Sequence, residues 1–300
     1  MADSPHRCGY VAVVGRPNVG KSTLVNALVG RKVSIVTSRP QTTRHRITGV
    51  ATGSAAQLLF VDTPGLHSLH RRALNRAMNR TAVAALADAD MVALVIEAGR
   101  WTDEDATALK RARESGRPVM LVVNKVDQVR PREALLPFLE KVAGQGEFEA
   151  IVPVSAERGE NLDRLRALLE AAMPEGPPLF PADAFSDRDE RFHAAEIIRE
   201  KLTRRLHEEL PYGLAVEVER MVADEEGRYE IAAVIWVERE GHKAIVVGRG
   251  GEMLKAVGTA ARLELKERLG APVHLSLWVK VREGWSDSDA DLRRFGYEGE

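Results

Sequence analysis

One stretch, Gly15-Arg16-Pro17-Asn18-Val19-Gly20-Lys21-Ser22-Thr23, constrains this chain more than any other. It follows the apolar run Tyr10-Val11-Ala12-Val13-Val14 and precedes Leu24-Val25-Asn26-Ala27-Leu28, so a complete G-x-x-x-x-G-K-[ST] pattern lies between a buried strand and an apolar-faced helix. That context demands a strand, a loop and a helix. Its glycines let the backbone turn tightly and approach an anion, with successive N–H groups converging at the positive end of the helix. Lys21 adds a point charge for the β- and γ-phosphates of a nucleotide, and the Ser22 hydroxyl can ligate magnesium.

A chain of 300 residues, 44% hydrophobic and 29% charged, has material for two globular domains, each with its own core. The net charge of −1 excludes a globally polycationic nucleic-acid binder but allows a local basic face. Cys8, the single cysteine, cannot form an internal disulfide and fits a reducing cytosol. Residues 1–8 lack a signal-like apolar segment, and no run approaches the roughly 20 apolar residues of a membrane span. The expectation is a soluble, cytoplasmic protein, with peripheral membrane contact still open.

Arg31 to Thr43 reads as a loop reaching back toward the phosphates, and Arg46–Val50 with Gln57–Val61 as a hairpin around Thr52-Gly53-Ser54. Buried-strand runs follow at Met91–Ile96, Val119–Val123 and Ala150–Val154, alternating with helical stretches, which predicts a mostly parallel sheet covered by helices. Ligands of such sheets sit beyond the carboxyl ends of the strands. The chemistry-bearing residues fall there: Asp62-Thr63-Pro64-Gly65, Asn124-Lys125-Val126-Asp127 and Ser155-Ala156. Asp62 is placed to hold magnesium, and Gly65 leaves a backbone N–H open to the γ-phosphate. The Asp127 carboxylate can accept from both N1–H and the exocyclic amine of guanine, a pair adenine lacks, and thereby selects the base. Asn124 can bridge base and loop, the Lys125 stem can cover the ring, and the Ala156 amide can face the guanine carbonyl.

Four prolines between Pro174 and Pro181 end the first half and stiffen the chain. Beyond them Phe192, Ala195, Ile198, Leu202, Leu206 and Leu210 form an apolar stripe on an otherwise heavily charged helix, and Leu214–Val222 and Tyr229–Val237 alternate as strands. Gly248-Arg249-Gly250-Gly251 then joins two helical runs, the second with a buried face of Leu254, Val257, Ala261 and Leu265. KH domains clamp about four single-stranded nucleotides with such a Gly-x-x-Gly loop. Between 241 and 282 eight cations (Lys243, Arg249, Lys255, Arg262, Lys266, Arg268, Lys280, Arg282) face three anions (Glu252, Glu264, Glu267), the local excess that phosphate contacts require.

Taken together, the loop Gly15–Ser22, Gln41-Thr42-Thr43-Arg44-His45-Arg46, Asp62–Gly65, Asn124–Asp127 and Ser155-Ala156 resemble the Era family of translation-factor-class GTPases. The likeness extends from Ala195–Lys201 through Glu209-Leu210-Pro211 to Leu277–Val281, and so covers nearly the whole chain. It implies an α/β Ras-like P-loop GTPase domain with a mostly parallel sheet at 1–174, a proline-rich linker at 175–188, and an α+β type II KH domain with a C-terminal tail at 189–300. The resemblance also implies that Thr43, with Thr42 as the alternative, joins Ser22 and Asp62 around magnesium, and that Asn18 holds a potassium ion beside the phosphates. Lys21, Thr43, Asp62, Gly65 and Asn18 are then the catalytic set, within a GTP/GDP site running over 15–23, 62–66, 124–127, Ser155 and Ala156. Leu66 stands where Ras-like enzymes place a water-orienting glutamine, which predicts slow intrinsic hydrolysis that potassium or a partner accelerates. Glu97 replaces a more usual aspartate. The Gly-x-x-Gly loop and the basic excess make Lys243, Gly248, Arg249, Gly250, Gly251, Lys255 and Lys280 the candidate RNA contacts; the resemblance implies that the RNA is the 3′ end of small-subunit ribosomal RNA during 30S assembly and that the protein, expected to be a monomer, associates loosely with the inner face of the cell membrane. Two other readings fit the residues: a nucleotide-gated, non-catalytic RNA scaffold, for which Leu66 argues, and a membrane-signalling GTPase whose basic face meets anionic lipid.

Overall fold

The computed structural model describes residues 6–40, 42–64, 73–206 and 213–297. They pack as two units: residues 6–36, 43–64 and 78–187 in the first, 37–40, Thr42, 73–77, 188–206 and 213–297 in the second.

In chain order the first half contains β1 (Arg7–Val14), α1 (Lys21–Val29), β2 (Ile47–Thr52), β3 (Ala56–Asp62), α2 (Ala73–Ala87), β4 (Met91–Glu97), α3 (Asp103–Glu114), β5 (Val119–Asn124), α4 (Leu135–Ala143), β6 (Ala150–Pro153) and α5 (Leu162–Ala172). The six strands form one sheet in the order β2-β3-β1-β4-β5-β6, parallel except for the β2–β3 hairpin. Strands β1, β4 and β5 are continuous apolar runs because helices cover both faces: α1 and α5 lie over β1 and β3, while side chains of α2, α3 and α4 pack on the other face. Leu94 and Leu121 are completely buried there, and each such burial contributes about 1.5–3 kcal/mol. The parallel register sets Val13 beside Asp62, Glu97 beside Asn124 and Val123 beside Pro153, so every loop read above as chemical leaves from one edge of the sheet.

The proline-rich segment is more than a stiff spacer. Buried Gln57 accepts from the N–H groups of Leu179 (2.8 Å) and Phe180 (2.9 Å) and donates to Phe180 O at 2.9 Å. Val50 N–H donates to Phe185 O (3.0 Å) and Thr48 N–H to Asp187 Oδ1 (2.9 Å), so the chain stays tied to the first unit as far as Asp187. Phe180 also packs on the small cluster of Cys8, Val50 and Leu59.

The second unit has α6 (Glu190–Arg205), β7 (Leu214–Ala223), β8 (Tyr229–Val237), α7 (Glu240–Val247), α8 (Glu252–Leu269), β9 (Val273–Val281) and a short α9 (Asp289–Arg294). Its sheet runs β7-β8-β9, with the first pair antiparallel and the second parallel. Helices α6, α7 and α8 cover one face: Ile198, Leu202, Val246, Val257, Ala261 and Leu265 meet Ile231, Ala233, Ile235 and Val237. On β9, Leu275, Leu277, Val279 and Val281 join this core, and strand alternation turns His274, Ser276, Trp278 and Lys280 to the opposite face. Trp285 is fully buried, with its ring centroid 6.0 Å from that of Tyr297 and 5.4 Å from that of Phe295.

Helix α6 departs from its sequence reading. Ile198, Leu202 and Leu206 enter the core as the stripe predicts, and Leu210 lies outside the described residues. The buried apolar neighbours are Ala194 and Ile197 rather than Phe192 and Ala195, and Glu196, Arg199, Glu200 and Lys201 are buried as well. Their charges are matched instead of solvated. Arg199 gives two 2.7 Å bonds to the Glu196 carboxylate and one of 2.5 Å to Thr42 O, while Glu200 is bonded to Lys201 and Arg204.

Candidate functional site

The Gly15–Thr23 loop connects β1 to α1 at the carboxyl edge of the sheet, and its shape depends on two glycines. A Cβ at Gly15 would stand 2.2 Å from Val95 O, and one at Gly20 only 2.4 Å from Asn124 Nδ2; both positions have positive φ, 147° and 96°. The Lys21 ammonium folds back over the loop and donates to Gly15 O and Arg16 O, each at 2.9 Å. Lys21 is 8% exposed, and burial lowers its pKa to about 8, with Asp62 opposing the shift and Arg16 adding to it. A cation held in this way lacks a full counter-charge.

Asp62 ends β3 with no exposed surface. Burial pushes its pKa up, against the hydroxyls of Ser22, Ser34 and Thr43 and the Lys21 charge. Ser22 Oγ and Thr43 Oγ1 are 2.9 Å apart, and Thr43 Oγ1 donates to Asp62 Oδ2 at 3.4 Å. Asp62 Oδ1 has no hydrogen-bond partner among the described residues. Hard oxygen donors with one lone carboxylate oxygen suit magnesium, so the residues fit that ion. Of the two candidate threonines, only Thr43 turns its hydroxyl here; Thr42 Oγ1 bonds Thr37 Oγ1 and Arg39 O. Thr63, next in the chain, is tied to Val13 O at 3.2 Å. Gly65 and Leu66 lie outside the described residues.

A second corner gathers the base-reading candidates. Asn124, at the end of β5, donates to Val19 O (2.9 Å) and accepts from Ala156 N–H (3.0 Å), stitching three loops together. Lys125 adopts a left-handed φ of 65°, and its ammonium reaches Asn18 O at 2.7 Å. Asp127 is 8% exposed, its Oδ2 lies 3.7 Å from Arg158 Nε, and buried Ser155 accepts from Arg158 N–H. Asn18 is exposed, with a φ of 64°.

Sequence reasoning missed what holds this frame. The Arg16 guanidinium is buried, pairing with Glu97 at 2.8 Å and lying 3.2 Å from Asp105 Oδ1. Glu97 also faces Lys125 at 3.5 Å; burial pushes its pKa up, but Arg16 and Lys125 outweigh that and the net shift is downward. Asp105 in addition closes the capping box of α3 with Thr102, a motif worth about 1 kcal/mol. The Thr102-x-x-Asp105 spacing was the available signal, although nothing in it points to Arg16.

In the second unit Gly248, Gly250 and Gly251 have positive φ of 74°, 62° and 82°, and a Cβ on Gly248 would stand 2.7 Å from that of Met253. The loop between α7 and α8 therefore depends on its glycines; Arg249 lies within it and Lys255 on the first turn of α8, both exposed. Lys243, on α7, lies 3.8 Å from Glu240. Lys280 is not brought to this loop: it points from the sheet face opposite the helices, donates to Glu219 at 3.3 Å and lies over the Trp236 ring. Arg268 and Arg282 are likewise engaged, with Glu190 and Asp291. Among the described residues no ion pair involves Arg249, Lys255, Arg262 or Lys266, and the last two rim a cavity of about 440 Å³ with Arg228, Glu230 and His274.

Comparison with known proteins agrees with both units. A family model described as a 50S ribosome-binding GTPase matches residues 10–125, and a KH domain model matches residues 209–286. The sequence is 54% identical over 295 residues to GTPase Era of Stenotrophomonas maltophilia (strain R551-3), covering 98% of this chain and 99% of that one. Identity is 55% to GTPase Era of Xanthomonas axonopodis pv. citri (strain 306), with 98% of each covered. Among solved structures, Era in complex with MgGDPNP and nucleotides 1506-1542 of 16S ribosomal RNA is similar at a TM-score of 0.94 and 39% identity, covering 98% of this chain and 100% of that one. An Aquifex aeolicus Era variant bound to GDP.AlF4- is similar at a TM-score of 0.93 and 39% identity, with the same coverage.

Proposed function

The chain belongs to the Era family of GTPases, and from that premise we propose that it hydrolyses GTP slowly with magnesium, binds the 3′ end of small-subunit ribosomal RNA, and assists 30S subunit assembly. The observation that carries this reading is the convergence of Lys21, Ser22, Thr43 and Asp62 at the same edge of the sheet as the Asn124–Asp127 frame, whose Asn124 bonds the phosphate loop at Val19 O. Phosphoryl transfer asks little covalent chemistry of a protein and depends on positioning and charge. Loop amides and Lys21 would hold the β- and γ-phosphates; Ser22, Thr43 and Asp62 would hold magnesium, which when bound neutralises charge on the phosphate oxygens. Asp127 would take the guanine N–H groups, with Asn124 and Ala156 fixing the loops around the base. In this reading the Gly15–Thr23, Asp62–Leu66 and Asn124–Asp127 segments with Ser155 and Ala156 line the nucleotide site.

Leu66 has no group to orient water, so intrinsic turnover is slow; Asn18 would hold a potassium ion, which when bound would supply part of the missing charge neutralisation. GTP orders segments 31–46 and 62–80, the latter running into α2, and the module spanning 189–300 then takes RNA across Lys243, the Gly248–Gly251 loop with Arg249, and Lys255, with the chain acting as a monomer. Peripheral contact with the cell membrane through exposed cations belongs to the same proposal; among the described residues no helix is long and apolar enough to cross a membrane. Phosphate release under multiple turnover, in potassium and then sodium buffer, with and without an RNA bearing the small-subunit 3′ end, tests it. Stimulation by both potassium and RNA is expected. Tight GTP binding with no turnover under any condition would leave a nucleotide-gated scaffold in its place.

A further inference from the structure

A second basic feature lies at the far end of α8 from the Gly248–Gly251 loop. Lys255, Thr259, Arg262 and Lys266 recur at helical spacing, which puts them on one stripe of α8, turned away from the buried face of Val257, Ala261 and Leu265. At the rise of an α-helix this stripe runs about 16 Å from Lys255 to Lys266. It ends at the cavity of about 440 Å³ that Arg262 and Lys266 share with Arg228, Glu230, Val273 and His274. The sheet fixes the walls on that side: Tyr229 N–H donates to Pro272 O at 2.9 Å, and the parallel register of β8 with β9 sets Glu230 beside His274.

Charge in the cavity does not cancel. Arg228 pairs with Glu226 at 3.1 Å and Glu230 with Arg220 at 3.4 Å, so each brings its own counter-charge. On α8 itself Glu264 is bonded to Lys201, and Glu267 stands about 100° round the helix from Lys266. Among the described residues the side chains of Arg262 and Lys266 make neither an ion pair nor a hydrogen bond. Two such cations one turn apart in a concave site favour an anion, and the planar fork of half-buried Arg262 matches phosphate oxygens. The stripe decides which phosphate. A basic cavity standing alone would suit a free ion or a lipid headgroup, whereas this one continues the helix face of Lys255, so a strand leaving the four-nucleotide clamp of the Gly-x-x-Gly loop along α8 arrives at it.

We propose that this cavity holds a phosphodiester group of the same single-stranded RNA, beyond the nucleotides clamped at the Gly248–Gly251 loop. This rests on the RNA-binding reading above and adds to it a phosphate site that positions the strand without reading its bases. The test is the salt dependence of binding of two fluorescent single-stranded RNAs, one of about four nucleotides and one of about twelve. In the double variant Arg262→Gln, Lys266→Gln the slope of log affinity against log salt is expected to shrink by about 0.7 for the longer RNA, as for one phosphate lost, and to keep its wild-type value for the shorter. The exchange Arg262→Lys, Lys266→Arg keeps both charges and is expected to keep the wild-type slope with both. An unchanged slope for the longer RNA in the Gln variant overturns the proposal. So does an equal change with both RNAs, which would put the two cations in the clamp itself. Vesicles of anionic phospholipid separate the other source of phosphate: loss of vesicle binding in the Gln variant, with the RNA slopes intact, would give the cavity to a lipid headgroup and overturn the proposal as well. Failure of the wild-type protein to bind either RNA would refute the RNA-binding reading instead.

Discussion

Both units bury charge, and they do so in opposite ways. In the first, Lys21 and Asp62 are enclosed with incomplete partners: the ammonium has only two carbonyls and a pKa lowered to about 8, and the carboxylate keeps one oxygen unbonded and a raised pKa. In the second, Arg199 and Glu196 are enclosed with complete partners; burial would lower the arginine's pKa, but Glu196 reverses the shift and raises it. Burial with incomplete pairing is what a site for a charged ligand requires, and burial with complete pairing is what a scaffold requires. The costs differ accordingly, because an uncompensated buried charge favours losing its charge whereas a paired one resists it.

The comparison can be broken at four places. The largest effect belongs to Asp127→Asn: the amide offers a donor where guanine also offers one, so guanine-nucleotide affinity should fall by up to about 10⁴-fold, with xanthine nucleotide, whose C2 carbonyl accepts, gaining. Competition binding with the two nucleotides checks it, and unchanged preference would remove Asp127 from base selection. Next, Glu196→Ala leaves Arg199 buried and unpaired and should cost about 3–5 kcal/mol in chemical denaturation of the second unit, with nucleotide binding by the first unit preserved. Lys21→Met should act in the other direction on stability. Phosphate release should drop by about 10²–10³-fold, as when one transition-state donor is removed, yet the nucleotide-free first unit should melt higher, since a depressed lysine pKa penalises folding below the unfolded value of 10.5 and most fully below about 8. The wild-type protein should accordingly gain stability as pH rises from about 8 to 10.5, and the variant should lack that component. The smallest effect is Arg249→Ala, which should weaken single-stranded RNA binding a few-fold and reduce the salt slope by about 0.7, while Lys280→Ala, already paired with Glu219, changes that slope little.

What could be read in the sequence was local. The phosphate loop, the β2–β3 hairpin and the alternation of β4, α3, β5 and α4 rest on neighbours a few residues apart, and periodicity captures them. Arg16 is 81 residues from Glu97 and 89 from Asp105 in sequence, so no spacing rule joins it to them. Helix α6 misleads for a different reason: period counting treats a charged side chain as a solvated one, and Glu196 and Arg199 satisfy each other inside. Residues 174–187 were legible as a stop to α5 but not as a strip held by Gln57, because a buried glutamine looks like any polar strand residue. Lys280 was counted with the basic patch by charge alone. The alternation of Leu277, Val279 and Val281 around it already places it on the other side of the sheet.

Calorimetric titration of the protein with a magnesium-bound, non-hydrolysable GTP analogue at pH 8.5, in buffers of different ionisation enthalpy, tests most directly whether Lys21 awaits a phosphate. With a pKa of about 8 its amine is mostly neutral at that pH, and an anionic ligand beside it favours the charged form. Binding should therefore take up a large fraction of one proton, and Lys21→Met should abolish that uptake. Heats that do not vary with buffer, or an uptake that persists in Lys21→Met, would contradict the account.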